Sequence, residues 1–391
     1  MKSDKQKAVF MSKQFFFDKS NQFKESGRNT LDLFNQNNIV VAILAQRQTI
    51  GVLSPNVPSE YKDNLKFISR DRSNWHHVND FQRKGNMVAI VGVVQEDAIF
   101  AFQSKIPLFN PSSLGFDVDT KIDQYGLPIA CLQDIIDCYK AFEIHQDNYF
   151  RMDFADDFTV VSLNNANTLY RPLEEARIKE IFKTNLKGDI QSRNHKILLL
   201  LLFHLVNEVT TNVFYEEVDY WGTFPSSNPA NTLTSISFLK ESVRCIVGGG
   251  PRKGAELFLR IKEKPPKHLS GTKKYSDKGK EDFETLIVNP QHYSKIKGKV
   301  ICIIDDYITT GYSSEVAKTL LFAAGARKVI FLSIGKFGKK YFSTNYDIQG
   351  NVSQHYAANL VGEVGYGATY NGHPFYNYNN ETEILKFGNI L

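Results

Sequence analysis

The chain has 391 residues, of which 42% are hydrophobic and 23% charged, and its formal net charge is +5. This length allows two domains of ordinary size, and this composition excludes a disordered chain and a small disulfide scaffold. The most apolar run, residues 197–206, is about half as long as a membrane-spanning helix requires. No uninterrupted apolar stretch follows a basic start. We therefore expect a soluble, cytoplasmic protein that does not insert into a membrane.

The first half of the chain alternates strand and helix patterns and contains no known motif. Short runs rich in Val and Ile predict strands at residues 39–44 and 87–94. The segment between them, with Trp75, His76 and His77, reads as loop. Helices are predicted at residues 132–141, 173–183 and 195–209. We expect residues 1–190 to form an N-terminal α+β or α/β domain of unknown fold and function, and residues 191–391 to form a second domain.

The second half changes to repeated strand, loop and helix units after a turn-rich segment at residues 220–227. Such alternation predicts a parallel sheet with helices on its faces. Ligands of these sheets bind at the carboxyl ends of the strands. The predicted strands cover residues 243–247, 300–304 and 329–334. The predicted helices cover residues 255–262 and 313–324.

The positive charge is concentrated between the first two of these strands. Residues 251–299 contain thirteen Lys and Arg against six Asp and Glu. A segment of this kind is commonly a solvated loop, and it also suits a polyanionic ligand. It has too few aromatic residues to form a stacking platform for nucleic acid, so nucleic-acid binding is not supported.

The strongest signal is the run Val-Ile-Cys-Ile-Ile-Asp-Asp-Tyr-Ile-Thr-Thr-Gly-Tyr-Ser at residues 300–313. Five successive apolar residues indicate a strand that is buried on both faces. Asp305 and Asp306 follow this strand in a predicted loop, and hydroxyl residues and Gly311 precede a predicted helix. Backbone N–H groups at a helix start, together with Thr and Ser hydroxyls, suit a phosphate monoester. Gly311 allows the close backbone approach that such a site needs.

The two aspartates add a second function to this run. Adjacent carboxylates at a strand end accept hydrogen bonds from vicinal sugar hydroxyls, and one of them can help to place Mg²⁺. A phosphate site beside a diol site fits ribose-5-phosphate. The alternative interpretation is a plain strand–turn–helix unit in which the aspartates cap the helix.

This run resembles the fingerprint of the type I phosphoribosyltransferases, a buried strand followed by two acidic residues and a threonine- and glycine-rich phosphate loop. The resemblance implies an α/β, Rossmann-type fold in the C-terminal half and binding of phosphoribosyl pyrophosphate (PRPP) with Mg²⁺. It implies that Asp305 and Asp306 contact the ribose hydroxyls and Mg²⁺. It also implies that the phosphate loop binds the 5-phosphate through Thr309, Thr310, Gly311, Tyr312 and Ser313. Tyr307 and Tyr312 depart from the family pattern, which has smaller residues at both positions.

The family also holds pyrophosphate in a loop after an earlier strand, often with glycine and a basic residue. The matching candidate lies at residues 248–254, with Gly249, Gly250, Arg252, Lys253 and Gly254. The resemblance assigns catalytic roles to Arg252 and Lys253 beside the two aspartates. The lysine-rich stretch at residues 265–282 would then be the flexible loop that covers the site in this family.

Two classes of function follow from these observations. The first is a phosphoribosyltransferase that transfers ribose-5-phosphate from PRPP to a base or a nucleotide-like small molecule, with release of pyrophosphate. The second is a protein that binds PRPP or a nucleotide without catalysis and acts as a sensor, a scaffold or an effector. A bacterial stress or defence system is one setting for such an effector. Under either, the N-terminal domain is a candidate surface for a homo-oligomer or a protein partner.

Overall fold

The computed structural model describes residues 6–141, 148–154, 157–187, 194–231, 234–251, 255–264, 278–367, 375–376, 385 and 387–388. The chain forms two compact units with interleaved segments. Unit 1 contains residues 1–145, 194–216 and 242–248, and unit 2 contains the remainder. Both units are α/β, as the sequence predicted for the C-terminal half.

Unit 1 is built on a six-stranded sheet in which every strand pair is parallel. The strand order is β3-β2-β1-β4-β5-β6, so the chain runs outwards from β1 and then crosses to the other side with β4. β2 confirms the strand predicted at residues 39–44, shifted by one residue. The strands are β1 (Lys7–Ser12), β2 (Val40–Ala45), β3 (Leu65–Ser69), β4 (Met87–Val91), β5 (Leu108–Asn110) and β6 (Leu127–Pro128).

Helices connect these strands and cover the sheet, as parallel pairing requires. They are α1 (Glu25–Asn35), α2 (Arg47–Leu53), α3 (Arg72–Arg83), α4 (Gln95–Ser104), α5 (Thr120–Tyr125), α6 (Gln133–Ala141) and α8 (His195–Thr211). The helix between the last two in the chain, α7 (Leu173–Lys187), belongs to unit 2. The loop prediction for Trp75, His76 and His77 was wrong, because all three lie in α3. Among the described residues, no helix is long and apolar enough to cross a membrane.

Unit 2 has a six-stranded sheet with four parallel strands, β8, β13, β12 and β9, and two antiparallel strands, β7 and β16, at one edge. β12 lies between β9 and β13, and its apolar start is fully buried, as the run of five apolar residues predicted. The strands are β7 (Phe150–Phe154), β8 (Phe158–Asn165), β9 (Tyr220–Thr223), β12 (Val300–Ile308), β13 (Lys328–Lys336) and β16 (Phe375–Tyr376).

Two antiparallel strand pairs complete the strands of unit 2. They are β10 (Phe258–Arg260) with β11 (Leu286–Val288), and the long ribbon β14 (Tyr341–Gly350) with β15 (Tyr356–Tyr366). The helices are α7 (Leu173–Lys187), α9 (Ser235–Val247), α10 (Lys280–Thr285), α11 (Pro290–Ile296) and α12 (Tyr312–Ala323). α12 packs its apolar side, with Val316 and Leu320, into the same core as Ile301 and Ile303 of β12.

Two secondary-structure predictions for the second half of the chain were wrong. Residues 243–247 form the end of α9 and not a strand, and Leu239, Val243 and Ile246 are buried at helical spacing. This helix begins in unit 2, and its residues from Ser242 onwards belong to unit 1. Residues 255–262 were predicted as a helix, but they contain the short strand β10. Phe258 and Arg260 are buried there and the residue between them is exposed, which is the alternation of a strand.

The interleaving of the units also differs from the single boundary at 190/191 that we expected. Residues 150–165 supply β7 and β8 to the sheet of unit 2, and residues 194–216 return to unit 1 with α8. Local sequence patterns do not report which distant strand a segment pairs with, so this crossing of the chain left no signal in the sequence.

Candidate functional site

The candidate site lies at the carboxyl end of β12, where the sheet topology brings several loops to one edge. β9 and β13 flank β12 in parallel, with Thr223 opposite Ile304 and Ser333 opposite Asp305. The segments that follow these strands therefore leave the sheet at the same edge. β12 runs to Ile308, so the two aspartates lie within the strand and not in the loop that we predicted.

Asp305 and Asp306 are partly buried and side by side at this edge. The backbone N–H of Asp306 donates to Asp305 Oδ1 at 2.9 Å, and the N–H of Tyr307 donates to Asp306 Oδ1 at 2.6 Å. Each carboxylate is thus held by the backbone N–H of the residue that follows it.

The predicted phosphate loop, residues 309–313, consists of the three-residue connection between β12 and α12 and the first two residues of α12. Thr309 is exposed, Thr310 is partly buried and Gly311 is buried. Gly311 is the N-cap residue of α12 with φ of +95°, so the first turn of the helix has no capping side chain from that position. A helix start of this kind offers backbone N–H groups to an anion. Ser313, in the first turn, is partly buried.

Gly311 is required for a second reason, which is the ring of Tyr341. A Cβ at residue 311 would lie 2.5–2.8 Å from three ring atoms of Tyr341. The Tyr341 hydroxyl donates to Glu315 Oε1 at 2.6 Å and lies 2.9 Å from Ser314 Oγ, which donates to the carbonyl of Gly311. The ring is fully buried. Tyr341 therefore supports the loop from behind.

Glu315 anchors this support within the core. Both of its carboxylate oxygens are engaged, one by Tyr341 and the other by the N–H of Thr344 at 2.9 Å and by Lys318 Nζ at 2.7 Å. Burial raises the pKa of Glu315, and the neighbouring Lys318 opposes this shift. A buried carboxylate with four hydrogen-bonding partners fixes the first turn of α12 against β14.

The two tyrosines that depart from the family pattern have other partners. The Tyr312 ring stacks on Phe342 with centroids 5.7 Å apart, and its hydroxyl donates to Glu363 on β15 at 2.9 Å. Tyr307 contacts the Phe337 ring at 5.0 Å and packs beside Gly335. Burial is the main cause that raises the pKa of each tyrosine. Each ring is therefore engaged in contacts with β13, the ribbon or the connection between them.

The predicted pyrophosphate loop does not lie beside these residues. Gly250 forms a parallel bridge with Tyr220, the first residue of β9, and Tyr220 lies opposite Ile301. Gly249 and Gly250 therefore lie at the amino end of the strands, about 13 Å along β12 from Asp305. Arg252, Lys253 and Gly254 lie outside the described residues, as do residues 265–277 of the predicted flexible loop.

The loop that does reach the candidate edge is the segment after β9, which sequence reasoning read only as turn-rich. Arg260, which is 9% exposed, donates to the carbonyls of Pro225 and Ser226, and it pairs with Asp282 at 3.0 Å. Lys264 pairs with the other oxygen of Asp282 at 2.7 Å. The backbone N–H of residue 264 donates to the carbonyl of residue 227. A buried charge cluster thus fixes the shape of this loop.

Oxygen ligands such as the two aspartates fit Mg²⁺, the ion that the resemblance implies. Among the described residues, no group of three or more His, Cys, Asp or Glu side chains is placed to hold a metal ion. Asp305 and Asp306 are the residues of this edge that would hold it.

Unit 1 has its own crevice, at the carboxyl ends of β1 and β4 where its strand order reverses. There the fully buried Asp97 accepts hydrogen bonds from Ser12, from the N–H groups of Val93 and Val94, and from Arg70. The Arg70–Asp97 ion pair measures 2.6 Å. The polar side chains at this position therefore satisfy one another.

Comparisons with known proteins add no assignment, since no protein-family model and no curated protein matches the sequence.

Proposed function

We propose that unit 2 binds the ribose-5-phosphate part of PRPP at the carboxyl end of β12 and that the protein is a phosphoribosyltransferase-like enzyme. The observation that carries this proposal is the start of α12. A glycine with positive φ replaces a capping side chain there, three residues after a strand that carries two carboxylates near its carboxyl end.

The 5-phosphate would bind at the phosphate loop, residues 309–313. The N–H groups of the first turn and the positive end of the helix dipole favour an anion at this position. The hydroxyls of Thr309, Thr310 and Ser313 would complete the set of donors. Tyr341 supports this assignment, because it holds the loop in one conformation without requiring a ligand.

The ribose hydroxyls would bind at Asp305 and Asp306. Successive strand residues point to opposite faces of a sheet, so one of the two carboxylates would accept from both hydroxyls of the diol through its two oxygens. Bound Mg²⁺ supplies charge neutralisation for the pyrophosphate as it leaves the anomeric carbon. The aspartates would orient the sugar, and displacement by a nitrogen nucleophile would follow from positioning and electrostatic stabilisation, with little acid–base catalysis.

We place the pyrophosphate at the segment after β9, residues 224–228, and not at residues 248–254. The parallel pairing of β9 with β12 supports this choice, because loops after neighbouring parallel strands share one edge. Arg260 and Lys264 would act indirectly, by fixing the backbone of this segment.

The alternative is a protein that binds PRPP or a nucleotide without turnover, as a sensor, scaffold or effector. Tyr307 and Tyr312 favour this alternative, because they stand where the family has smaller residues. Their contacts with Phe337, Phe342 and Glu363 weaken the argument, since these contacts account for both rings without a ligand. Both functions require the same ligand, so an assay of turnover separates them.

Calorimetric titration with PRPP and Mg²⁺ tests the proposal. We expect micromolar binding that Asp305→Asn/Asp306→Asn removes, since the amides keep the size of the side chains but lose the charge. Asp347→Asn, on the ribbon, is the matched control and should bind as the wild type does. Pyrophosphate release in the presence of a panel of bases would then establish turnover. No heat with PRPP, nucleoside monophosphates or pyrophosphate would contradict the proposal.

A further inference from the structure

Lys336, the last residue of β13, directs its side-chain nitrogen into a ring of backbone carbonyls. The residue is fully buried. Nζ lies 2.6 Å from the carbonyl oxygen of Thr309, 2.8 Å from that of Phe337, 2.9 Å from that of Lys340 and 3.3 Å from that of Gly338. Four acceptors around one nitrogen make this side chain the centre of the connection between β13 and β14.

The composition of this ring selects a cation. An ammonium group has three protons to donate, whereas a neutral amine has two and presents a lone pair to the remaining oxygens. The Phe150 ring, with its centroid 5.6 Å from Nζ, adds a further surface that favours positive charge. Burial acts in the opposite direction and lowers the pKa of Lys336 to about 7.

The carbonyls belong to two different segments, and one of them is the phosphate loop. Thr309 is the first residue of that loop, while residues 337–340 form the turn that leads to β14. Backbone hydrogen bonds also join the segments on each side, from Phe337 N–H to the Ile308 carbonyl and from Phe342 N–H to the Thr310 carbonyl, both at 2.8 Å. The Lys336 side chain joins the same two segments between these two backbone hydrogen bonds.

We propose that Lys336 is a positioning residue whose ammonium group acts as a built-in monovalent cation and holds the phosphate loop in its binding geometry. It acts through the Thr309 carbonyl and does not touch the ligand. Carbonyl oxygens at such distances are the ligands that replace the hydration shell of K⁺. Without the lysine side chain, the same ring is therefore a site for K⁺ or NH₄⁺. The effect on ligand binding rests on the function proposed above, and the carbonyl ring does not.

The test is Lys336→Ala, which empties the ring, measured at matched ionic strength in potassium chloride and in N-methyl-glucamine chloride. With the bulky cation we expect the affinity for ribose-5-phosphate to fall by about tenfold or more, the equivalent of at least one hydrogen bond. Potassium should restore most of the loss in the variant and leave the wild type unchanged. A merely structural role would not make affinity depend on which monovalent cation is present.

Lys105→Met is the matched control, because Lys105 is a partly buried lysine of unit 1 that donates to a backbone carbonyl, that of Val247, and not to a ring of carbonyls. It should keep the affinity for ribose-5-phosphate and show no preference for potassium. If Lys336→Ala does not fold, Lys336→Gln replaces it, because its side chain retains two N–H donors. Its affinity for ribose-5-phosphate should be below that of the wild type, with a smaller loss than the tenfold expected for Lys336→Ala.

The unfolding free energy of Lys336→Ala, compared in the two salts without ligand, separates this inference from the proposed function. Greater stability in potassium supports the carbonyl ring even if the wild type binds no ribose-5-phosphate, a result that would refute the proposed function alone. Equal stability and equal affinity in the two salts would overturn the inference.

Discussion

Replacing Gly311 by alanine should damage the phosphate loop for two reasons that can be measured separately. The first is the backbone, because φ of +95° costs a residue with a Cβ about 1–2 kcal/mol. The second is steric, because the new Cβ would lie 2.5–2.8 Å from three ring atoms of Tyr341. The ring is fully buried, and its hydroxyl is held by Ser314 and Glu315 in the core. Overpacking of this kind adds about 1–3 kcal/mol.

The expected loss of unfolding free energy for Gly311→Ala is therefore about 2–5 kcal/mol. Gly298→Ala is the control, since Gly298 has φ of +74° and a Cβ there meets nothing within 4 Å. It should show the backbone cost alone. Urea denaturation of both variants gives the steric part as the difference between them.

A double-mutant cycle with Tyr341→Ala then tests the assignment of that difference. In the absence of the ring, Gly311→Ala should cost no more than Gly298→Ala. An unchanged cost in that background, or equal costs for the two glycine variants in the wild-type background, would refute the steric reasoning.

Three further predictions concern charge and hydrogen bonding. Arg70→Met should lower the unfolding free energy by about 3–5 kcal/mol because it leaves Asp97 charged and buried, and Arg70→Met/Asp97→Asn should be the more stable of the two in urea. Tyr312→Phe should lower it by about 1 kcal/mol by removing the bond to Glu363, and an unchanged melting curve would contradict this. Burial lowers the pKa of Lys336 from 10.5 in the unfolded chain to about 7 in the folded protein, so the unfolded chain binds more protons between these values. The unfolding free energy of the wild type should therefore rise relative to that of Lys336→Ala as the pH rises from 7 towards 10, by at most about 1.4 kcal/mol per pH unit. If the difference in unfolding free energy between the two proteins does not change with pH, Lys336 keeps its ordinary pKa within the carbonyl ring.

The parts of the site that the sequence predicted are the local ones. Five apolar residues, two aspartates and a glycine before a helix lie within one strand, one loop and one turn, and their order in the chain is their order in space. The end of β12 was missed because Tyr307 and Ile308 continue the strand by pairing with Gly335 and Lys336, which are 28 residues away. A buried strand end that carries polar residues has no periodicity to reveal it.

The parts that the sequence did not predict depend on distant partners. Lys336 acts on Thr309 through a backbone carbonyl, which leaves no mark on the identity of residue 309. Arg260 reads as a residue of a basic, solvated segment, yet it is 9% exposed because Asp282 and two carbonyls compensate its burial. One of the two parallel partners of β12 is a strand of only four residues, Tyr220–Thr223, too short to stand out from turn-rich surroundings.

The interleaved course of the chain constrains the order in which the two units complete during synthesis. β8 pairs with β13, about 170 residues later, so the sheet of unit 2 closes only when most of the chain has left the ribosome. Unit 1 is likewise complete only after residues 194–216 and 242–248 have been synthesised. A fragment that ends at residue 190 would lack α8, and it would carry the β7–β8 pair without β13 and β16, the other strands with which that pair forms its sheet. Neither half is then an autonomous folding unit, and limited proteolysis between residues 141 and 194 should leave two pieces that stay associated.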